Sequence, residues 1–281
     1  MILFKRAIDL QNNLQKHRAT GQTIGFVPTM GALHQGHLSL IEASRRLNDI
    51  TVCSIFVNPT QFNDQSDFEK YPITIERDIL LLEKERTDIL FLPSTAEIYP
   101  GGTNALPQYS LGFLETILEG KYRPGHFQGV CQVIEQLLHI IQPNQLFLGQ
   151  KDYQQCMVLT KLISLIQSPT QIQINPTHRE SNGLAMSSRN MRLDEAGKTI
   201  AGQIYRTLQF IQQNRTVKPV SQLKKEAVNQ LLDAGFEKVD YVEIANAATL
   251  APLTQWDNHT SSVALIAAFL QGVRLIDNLL L

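Results

Sequence analysis

Pro28-Thr-Met-Gly31-Ala-Leu-His34-Gln-Gly36-His37 joins a short apolar run, Ile24 to Val27, to an amphipathic segment beginning near Leu38. The stretch reads as a strand, a tight turn and a helix start. Gly31 and Gly36 let backbone N–H groups approach a ligand closely, and a helix N-terminus adds unpaired donors and a partial positive charge. Together these make a phosphate seat. His34 and His37 lie three residues apart, so two imidazoles can face one side and hydrogen-bond a triphosphate. A bare His-x-x-His fits a solvated loop or a metal-ligand pair equally well, so the rest of the chain has to decide.

Outward from this turn, apolar runs alternate with helical patterns. Ile24–Val27, Thr51–Val57, Ile89–Leu92, Gln145–Leu148 and Gln171–Asn175 read as strands, with helical stretches near 38–47, 74–86, 128–141 and 153–166 between them. That alternation implies βαβ units, a parallel sheet and right-handed crossovers. Ligands bind such sheets at the carboxyl ends of the strands, and the segments 28–37, 57–62 and 149–155 each follow a strand. Beyond Met186-Ser-Ser-Arg-Asn190 the order becomes helix (194 to about 213), helix (220–234), strand (239–244), strand (263–268). This order indicates a smaller α+β domain, with the boundary near 176–186. Pro93 to Thr103 is turn-rich and reads as a flexible loop over the crevice.

The bulk properties exclude several classes. In 281 residues, 43% are hydrophobic and 18% charged, which is the balance of a soluble globular protein. A formal net charge of −1 supplies no long-range field for nucleic acid or an anionic membrane. Cys53, Cys131 and Cys156 are scattered and odd in number, against a disulfide framework or a structural zinc site, and a reducing cytoplasm is the expected location. The N-terminus lacks the order of a signal peptide, and no apolar run is long enough to span a membrane.

Four further motifs carry chemistry. In Phe56-Val-Asn58-Pro-Thr-Gln61-Phe62, Asn58 and Gln61 offer uncharged donors and acceptors at a strand end, suited to a hydroxyl or carboxylate. In Gly149-Gln-Lys151-Asp152-Tyr-Gln-Gln155, Lys151 is a point charge at a helix start and Asp152 is either part of a site or simply an N-cap. Arg123-Pro-Gly-His126 is a rigid turn with two cationic or potentially cationic side chains. Met186-Ser187-Ser188-Arg189 combines two hydroxyls with a guanidinium, which suits a triphosphate or, more plainly, a capped turn. Asp78 is a candidate magnesium ligand or a solvated helical acid.

The stretches PTMGALHQGH, FVNPTQF, RPGHFQGV, KDYQQ and GLAMSSRN, with Asp240-Tyr-Val-Glu243 and Arg274-Leu-Ile-Asp277, resemble the pantothenate synthetases in order and spacing across essentially the whole chain. That family, the pantoate–β-alanine ligases, is placed in the nucleotidyltransferase superfamily. The resemblance implies an α/β protein. A Rossmann-like parallel-sheet domain, 1–175, would bind ATP and pantoate, and a smaller C-terminal α+β domain, 176–281, would cover the active site. It implies that pantoate attacks ATP to give pantoyl adenylate and pyrophosphate, and that the amine of β-alanine then displaces AMP.

Carried over by the resemblance, His34, His37, Lys151 and Arg189 are catalytic. Met30, Gly149, Asp152, Asn175, Met186, Ser187 and Ser188 join them in binding ATP. Gln61 and Gln155 hold pantoate, with Met30 and Phe62 as apolar walls and Asn58 and Arg123 beside them. Asp78 is the implied Mg2+ ligand, and a cytoplasmic homodimer built through the larger domain is expected. Departures from the family pattern fall at Gln150, Asn182, Arg77 and Asn175. The alternative enzyme, a nucleotidyltransferase acting on a phosphate ester, calls for cations where Gln61 and Gln155 stand. A non-catalytic nucleotide-binding module leaves the joint presence of His34, His37, Lys151 and the Ser-Ser-Arg run without a purpose.

Overall fold

The computed structural model describes residues 1–257, 259 and 261–281, which divide into two compact units. The first comprises Met1–Gly149 and Gln155–Pro176, and the second Gln150–Gln154 and Thr177–Leu281.

The first unit is built on a sheet of β1 (Ile2–Phe4), β2 (Ile24–Thr29), β3 (Ile50–Ile55), β4 (Ile89–Phe91), β5 (Gln145–Gly149) and β6 (Gln171–Asn175). Its order is β1-β4-β3-β2-β5-β6, and every pairing is parallel. The central strands are predominantly apolar and do not alternate with polar residues, because both faces are covered. Phe26, Val52, Phe91 and Leu146 point into one core with the helices Ala7–Ala19 and His126–Ile141. Their chain neighbours Val27, Cys53, Leu90 and Phe147 point into another with the helices Gln35–Leu47 and Ile75–Lys84. That alternation is the two-residue period of a strand read on both sides. The strand order reverses between β2 and β5, and this is where a parallel sheet opens a crevice at its carboxyl ends.

The second unit lays the helices Glu195–Ala201, Gln203–Asn214 and Val220–Asp233 on an antiparallel sheet of β7 (Lys238–Asn246), β8 (Ser262–Leu270) and β9 (Val273–Leu280), in that order. Leu208, Leu223 and Leu231 pack against Ile244, Ala264, Ile266 and Ala268, the small side chains on β8 letting the helices approach closely.

Several expectations are corrected. The helix expected near Leu38 starts at Gln35, and the single helix expected over 194–213 is two, divided at Gly202. Residues 150–154, expected within the first domain, group with the second. The reason is local: the Asn278 amide donates to the carbonyls of Gln150 (2.9 Å) and Lys151 (2.8 Å), and the Tyr153 hydroxyl donates to that of Ala247 (2.7 Å). The turn-rich segment 93–103 is not a loose flap at its start. Ser94 Oγ caps the short helix Thr95–Ile98, and Tyr99 is buried with its hydroxyl on Asn58 Oδ1 at 2.8 Å.

Candidate active site

The turn after β2 is fixed before any histidine is reached. Thr29 Oγ1 donates to the carbonyl of Ser54 at 2.7 Å, tying the end of β2 to β3. Gly31 then takes φ +81° and Ala32 +48°, and a Cβ at Gly31 would sit 3.1 Å from both Asp78 Oδ2 and Ile55 Cγ2. Glycine is therefore favoured by the backbone angle, and a larger residue would also press on these two side chains. The N–H groups of Ala32 and Leu33 donate to Asp78 Oδ2 (2.9 Å) and Oδ1 (2.8 Å), and Thr74 Oγ1 donates to Oδ1 at 3.0 Å.

Asp78 is thus not placed as a metal ligand. It is fully buried with both oxygens engaged, and it serves as the anchor of the turn. Among the described residues no group of three or more His, Cys, Asp or Glu side chains is arranged to hold a metal ion.

His34 is the N-cap of the helix Gln35–Leu47 and His37 its third residue, with ring centroids 4.0 Å apart. The His34 backbone N–H donates to His37 Nδ1 at 3.4 Å. Nδ1 of His37 acts there as acceptor, which in the neutral ring puts the proton on Nε2. The first turn of this helix has no acidic side chain, and His34 and His37 form a reciprocal capping box across it.

Gln61 stands in the 3₁₀ turn Pro59–Gln61 after β3, and its Nε2 reaches Met30 Sδ at 3.1 Å. This contact joins the motif after β3 to the motif after β2. Phe62 packs edge-on against Phe68 and Tyr71, with centroids 5.1 and 5.7 Å away.

Two residues expected beside pantoate, Asn58 and Arg123, make several bonds within the protein. Asn58 is buried, donates to the Gly129 carbonyl (3.1 Å) and Gln61 Oε1 (3.3 Å), and accepts from Tyr99 and Thr60. Its amide is therefore committed to the protein. Arg123 bonds His126 Nε2 at 3.0 Å and lies 3.6 Å from Glu119 Oε2. His126 in turn bonds the Gln61 carbonyl through Nδ1 at 2.7 Å. Gly129 brings the helix His126–Ile141 onto the same turn, since a Cβ there would meet the Thr60 carbonyl oxygen at 2.2 Å. Tyr99, Thr74, His126 and Gly129 are thus structural parts of the site that spacing alone does not reveal, although Arg123-Pro-Gly-His-Phe-Gln-Gly129 carries two of them in one run.

The remaining first-unit candidates share the sheet's carboxyl end. Gly149 pairs with Asn175 as the last residues of β5 and β6, and Gln155 is half-buried in the first turn of the helix Tyr153–Leu165.

In the second unit, Lys151 lies in the 3₁₀ turn Gln150–Asp152, its side chain 18% exposed and its Nζ 3.5 Å from Asp152 Oδ1. The Asn278 amide that holds this turn follows Asp277, which accepts from Arg179 Nη1 at 2.5 Å and Nη2 at 3.1 Å. Burial pushes the Asp277 carboxyl up, and the bonds from Arg179 pull it back. Arg179 also stacks on Tyr205 at 3.8 Å. Met186 is tied by its N–H to the His178 carbonyl at 3.0 Å, Ser187 Oγ accepts from Arg189 N at 3.3 Å, and Ser188 is buried. Asn182 accepts from Leu184 N (3.1 Å) and donates to the Lys198 carbonyl (2.9 Å). An aspartate there can make only the first of these bonds.

Residues 2–280 match the protein-family model described as pantoate-beta-alanine ligase. The chain belongs to the pantoate-beta-alanine ligase family. A pantothenate synthetase from Cytophaga hutchinsonii is 44% identical over 100% of this chain and 99% of its own length. One from Azobacteroides pseudotrichonymphae is 42% identical over 99% of each. The crystal structure of pantothenate synthetase from Thermus thermophilus superposes with a TM-score of 0.91 at 36% identity, over 99% of both chains. That of pantoate-beta-alanine ligase from Francisella tularensis, complexed with beta-gamma ATP and beta-alanine, gives 0.84 at 37% identity over 100% and 97%. A match of this extent favours the ligase family over a nucleotidyltransferase of phosphate esters. No helix of the described residues is long and apolar enough to cross a membrane.

Proposed function

We propose that the chain condenses pantoate with β-alanine at the cost of ATP, through a pantoyl adenylate, to give pantothenate, AMP and pyrophosphate. The observation that carries this reading is the turn Met30–His34, which presents a thioether bonded to Gln61 at one end and the acid-free helix start with its two imidazoles at the other. An uncharged amide suits a hydroxy acid, and the helix start suits phosphate oxygens.

In the roles we assign, His34 and His37 meet the triphosphate, and Lys151, Ser187, Ser188 and Arg189 bind phosphate oxygens. Gly149, Asp152, Asn175 and Met186 serve the nucleoside. Gln61 and Gln155 hold pantoate between the apolar side chains of Met30 and Phe62. The carboxylate of pantoate is already a nucleophile, so the first step calls for no general base. It calls for in-line placement and for donors that stabilise charge on the departing pyrophosphate. His37, with its proton on Nε2, is such a donor. In the second step a neutral amine attacks an acyl phosphate, and donors to the oxyanion matter more than a strong base. Asp78 does not fit magnesium, so the metal enters this reading only as the Mg2+ complex of ATP, held by phosphate oxygens. A cytoplasmic homodimer completes the proposal, with three buried free thiols in keeping with a reducing compartment.

The experiment is pyrophosphate release from purified protein with ATP, Mg2+ and pantoate, with and without β-alanine. Pantoate-dependent release that turns over rapidly only with β-alanine is expected, along with its loss in His34→Ala. Release that ignores pantoate would sink the reading in favour of another acceptor.

A further inference from the structure

We infer that His126 is a positioning residue for pantoate, acting through the main chain of Gln61; the inference rests on the reading of Gln61 as a pantoate ligand. His126 is 5% exposed and opens the helix His126–Ile141 directly after Gly125, whose φ of +80° turns the chain into that helix. Both ring nitrogens are engaged. Nδ1 lies 2.7 Å from the Gln61 carbonyl oxygen, which has no proton to give, so Nδ1 is the donor. Nε2 lies 3.0 Å from Arg123 Nη1, a group that only donates, so Nε2 is the acceptor. The two bonds together select the neutral tautomer with its proton on Nδ1.

The Arg123 guanidinium is itself held on two other sides, by Glu119 Oε2 at 3.6 Å and by Asn63 Oδ1, to which its Nε donates at 3.4 Å. Arg123 and His126 therefore grip the chain on both sides of Phe62, at the carbonyl of residue 61 and the side chain of residue 63. Gly129, one turn further along the helix, seats the same helix against Thr60. Among the described residues the Gln61 side chain carries a long bond from Asn58 at 3.3 Å and one to the Met30 thioether, so its aim depends on where the backbone is held. A ring with both nitrogens committed in this way does not itself bind the substrate. It fixes the residue that does.

The test uses His126→Asn, His126→Gln and Arg123→Met in the full chain, with melting temperature and steady-state kinetics for each substrate. The Asn amide nitrogen falls where Nδ1 was and keeps the bond to Gln61, whereas the Gln amide falls near Nε2 and loses it. His126→Gln is expected to raise the KM for pantoate about tenfold, with the KM for ATP within about twofold. His126→Asn is expected to stay within about twofold for both substrates, a split that general destabilisation does not produce. Arg123→Met, on a partly exposed side chain, covers the case in which His126→Gln fails to fold. It too is expected to raise the pantoate KM alone, and the effect should vanish in a Gln61→Ala background. An unchanged pantoate KM in His126→Gln or Arg123→Met, an equal rise for ATP, or Asn no better than Gln overturns the inference. If Gln61→Ala itself leaves the pantoate KM unchanged, the assignment of Gln61 is what has failed.

Discussion

Asp78 accepts the backbone N–H of Leu33 at 2.8 Å, one residue before His34. The other oxygen accepts from Ala32, so a single buried carboxylate holds two successive donors of the turn. Asp78→Asn replaces one acceptor with an N–H that faces another N–H. We expect it to lower unfolding stability by about 2–3 kcal/mol in urea titrations and to raise the KM for ATP. A metal ligand would behave in the opposite way, with an increased Mg2+ requirement at unchanged stability.

Gly129→Ala tests how closely the helix His126–Ile141 must approach the turn Pro59–Gln61, which we propose holds pantoate. The added methyl would lie 2.2 Å from the Thr60 carbonyl oxygen and 2.6 Å from Gln61 Cα, both main-chain atoms that cannot swing aside. The helix or the turn has to move. We expect a loss of about 1–3 kcal/mol by thermal or chemical unfolding, with a pantoate KM that rises more than that for ATP.

The parallel sheet was legible because strands buried on both faces are predominantly apolar runs without a polar alternation, as in Thr51–Val57. The ends of the chain were not. The strand Ile2–Phe4 has only three residues, and the helix Ala7–Ala19 buries only Leu10 and Leu14, too sparse a stripe to set a period. The last strand hid its pattern because Asp277 and Asn278 occupy buried positions where apolar residues are expected. At the site, the residue types at Met30, Gln61, His34 and His37 were readable from their place after strands. The protein partners of Asn58, Asp78 and Arg123 were not. A side chain that holds the backbone of a ligand-binding turn has the same polar character as one that holds a ligand, and only its partners distinguish the two.

The three cysteines supply a prediction with a pH sign. All are buried, and burial pushes the thiols of Cys53 and Cys131 up to about 12. Native protein at pH 8 is expected to resist a thiol-specific reagent, and all three thiols are expected to react in denaturant. An unfolded thiol titrates near ~8.5, so these groups hold protons in the folded state that the unfolded chain gives up. Their contribution to stability is full below that pH and is lost as pH rises towards 12. Denaturant midpoints measured between pH 8 and pH 11 should fall, and Cys53→Ala, though less stable at pH 8, should fall less steeply. A midpoint that rises over this range would contradict the assignment.

Asn278 offers a separate test on the second unit. Its amide donates to the carbonyls of Gln150 and Lys151, and its own main chain is bonded by Arg179 Nη2 at its carbonyl and by Asp277 at its N–H. The buried Arg179–Asp277 pair thus reaches the backbone of Lys151 through one residue. Asn278→Ala leaves two partly buried carbonyls without this donor, a cost of about 1–2 kcal/mol, and frees the turn that carries the lysine. Asn278→Asp is worse, because a carboxylate then faces the same two carbonyls. If Lys151 binds phosphate, both variants should raise the KM for ATP and lower kcat while leaving the KM for pantoate near its normal value. That is the mirror image of the pattern expected from Gly129→Ala. Loss of stability with all kinetic constants unchanged would mean that the clamp serves the fold alone.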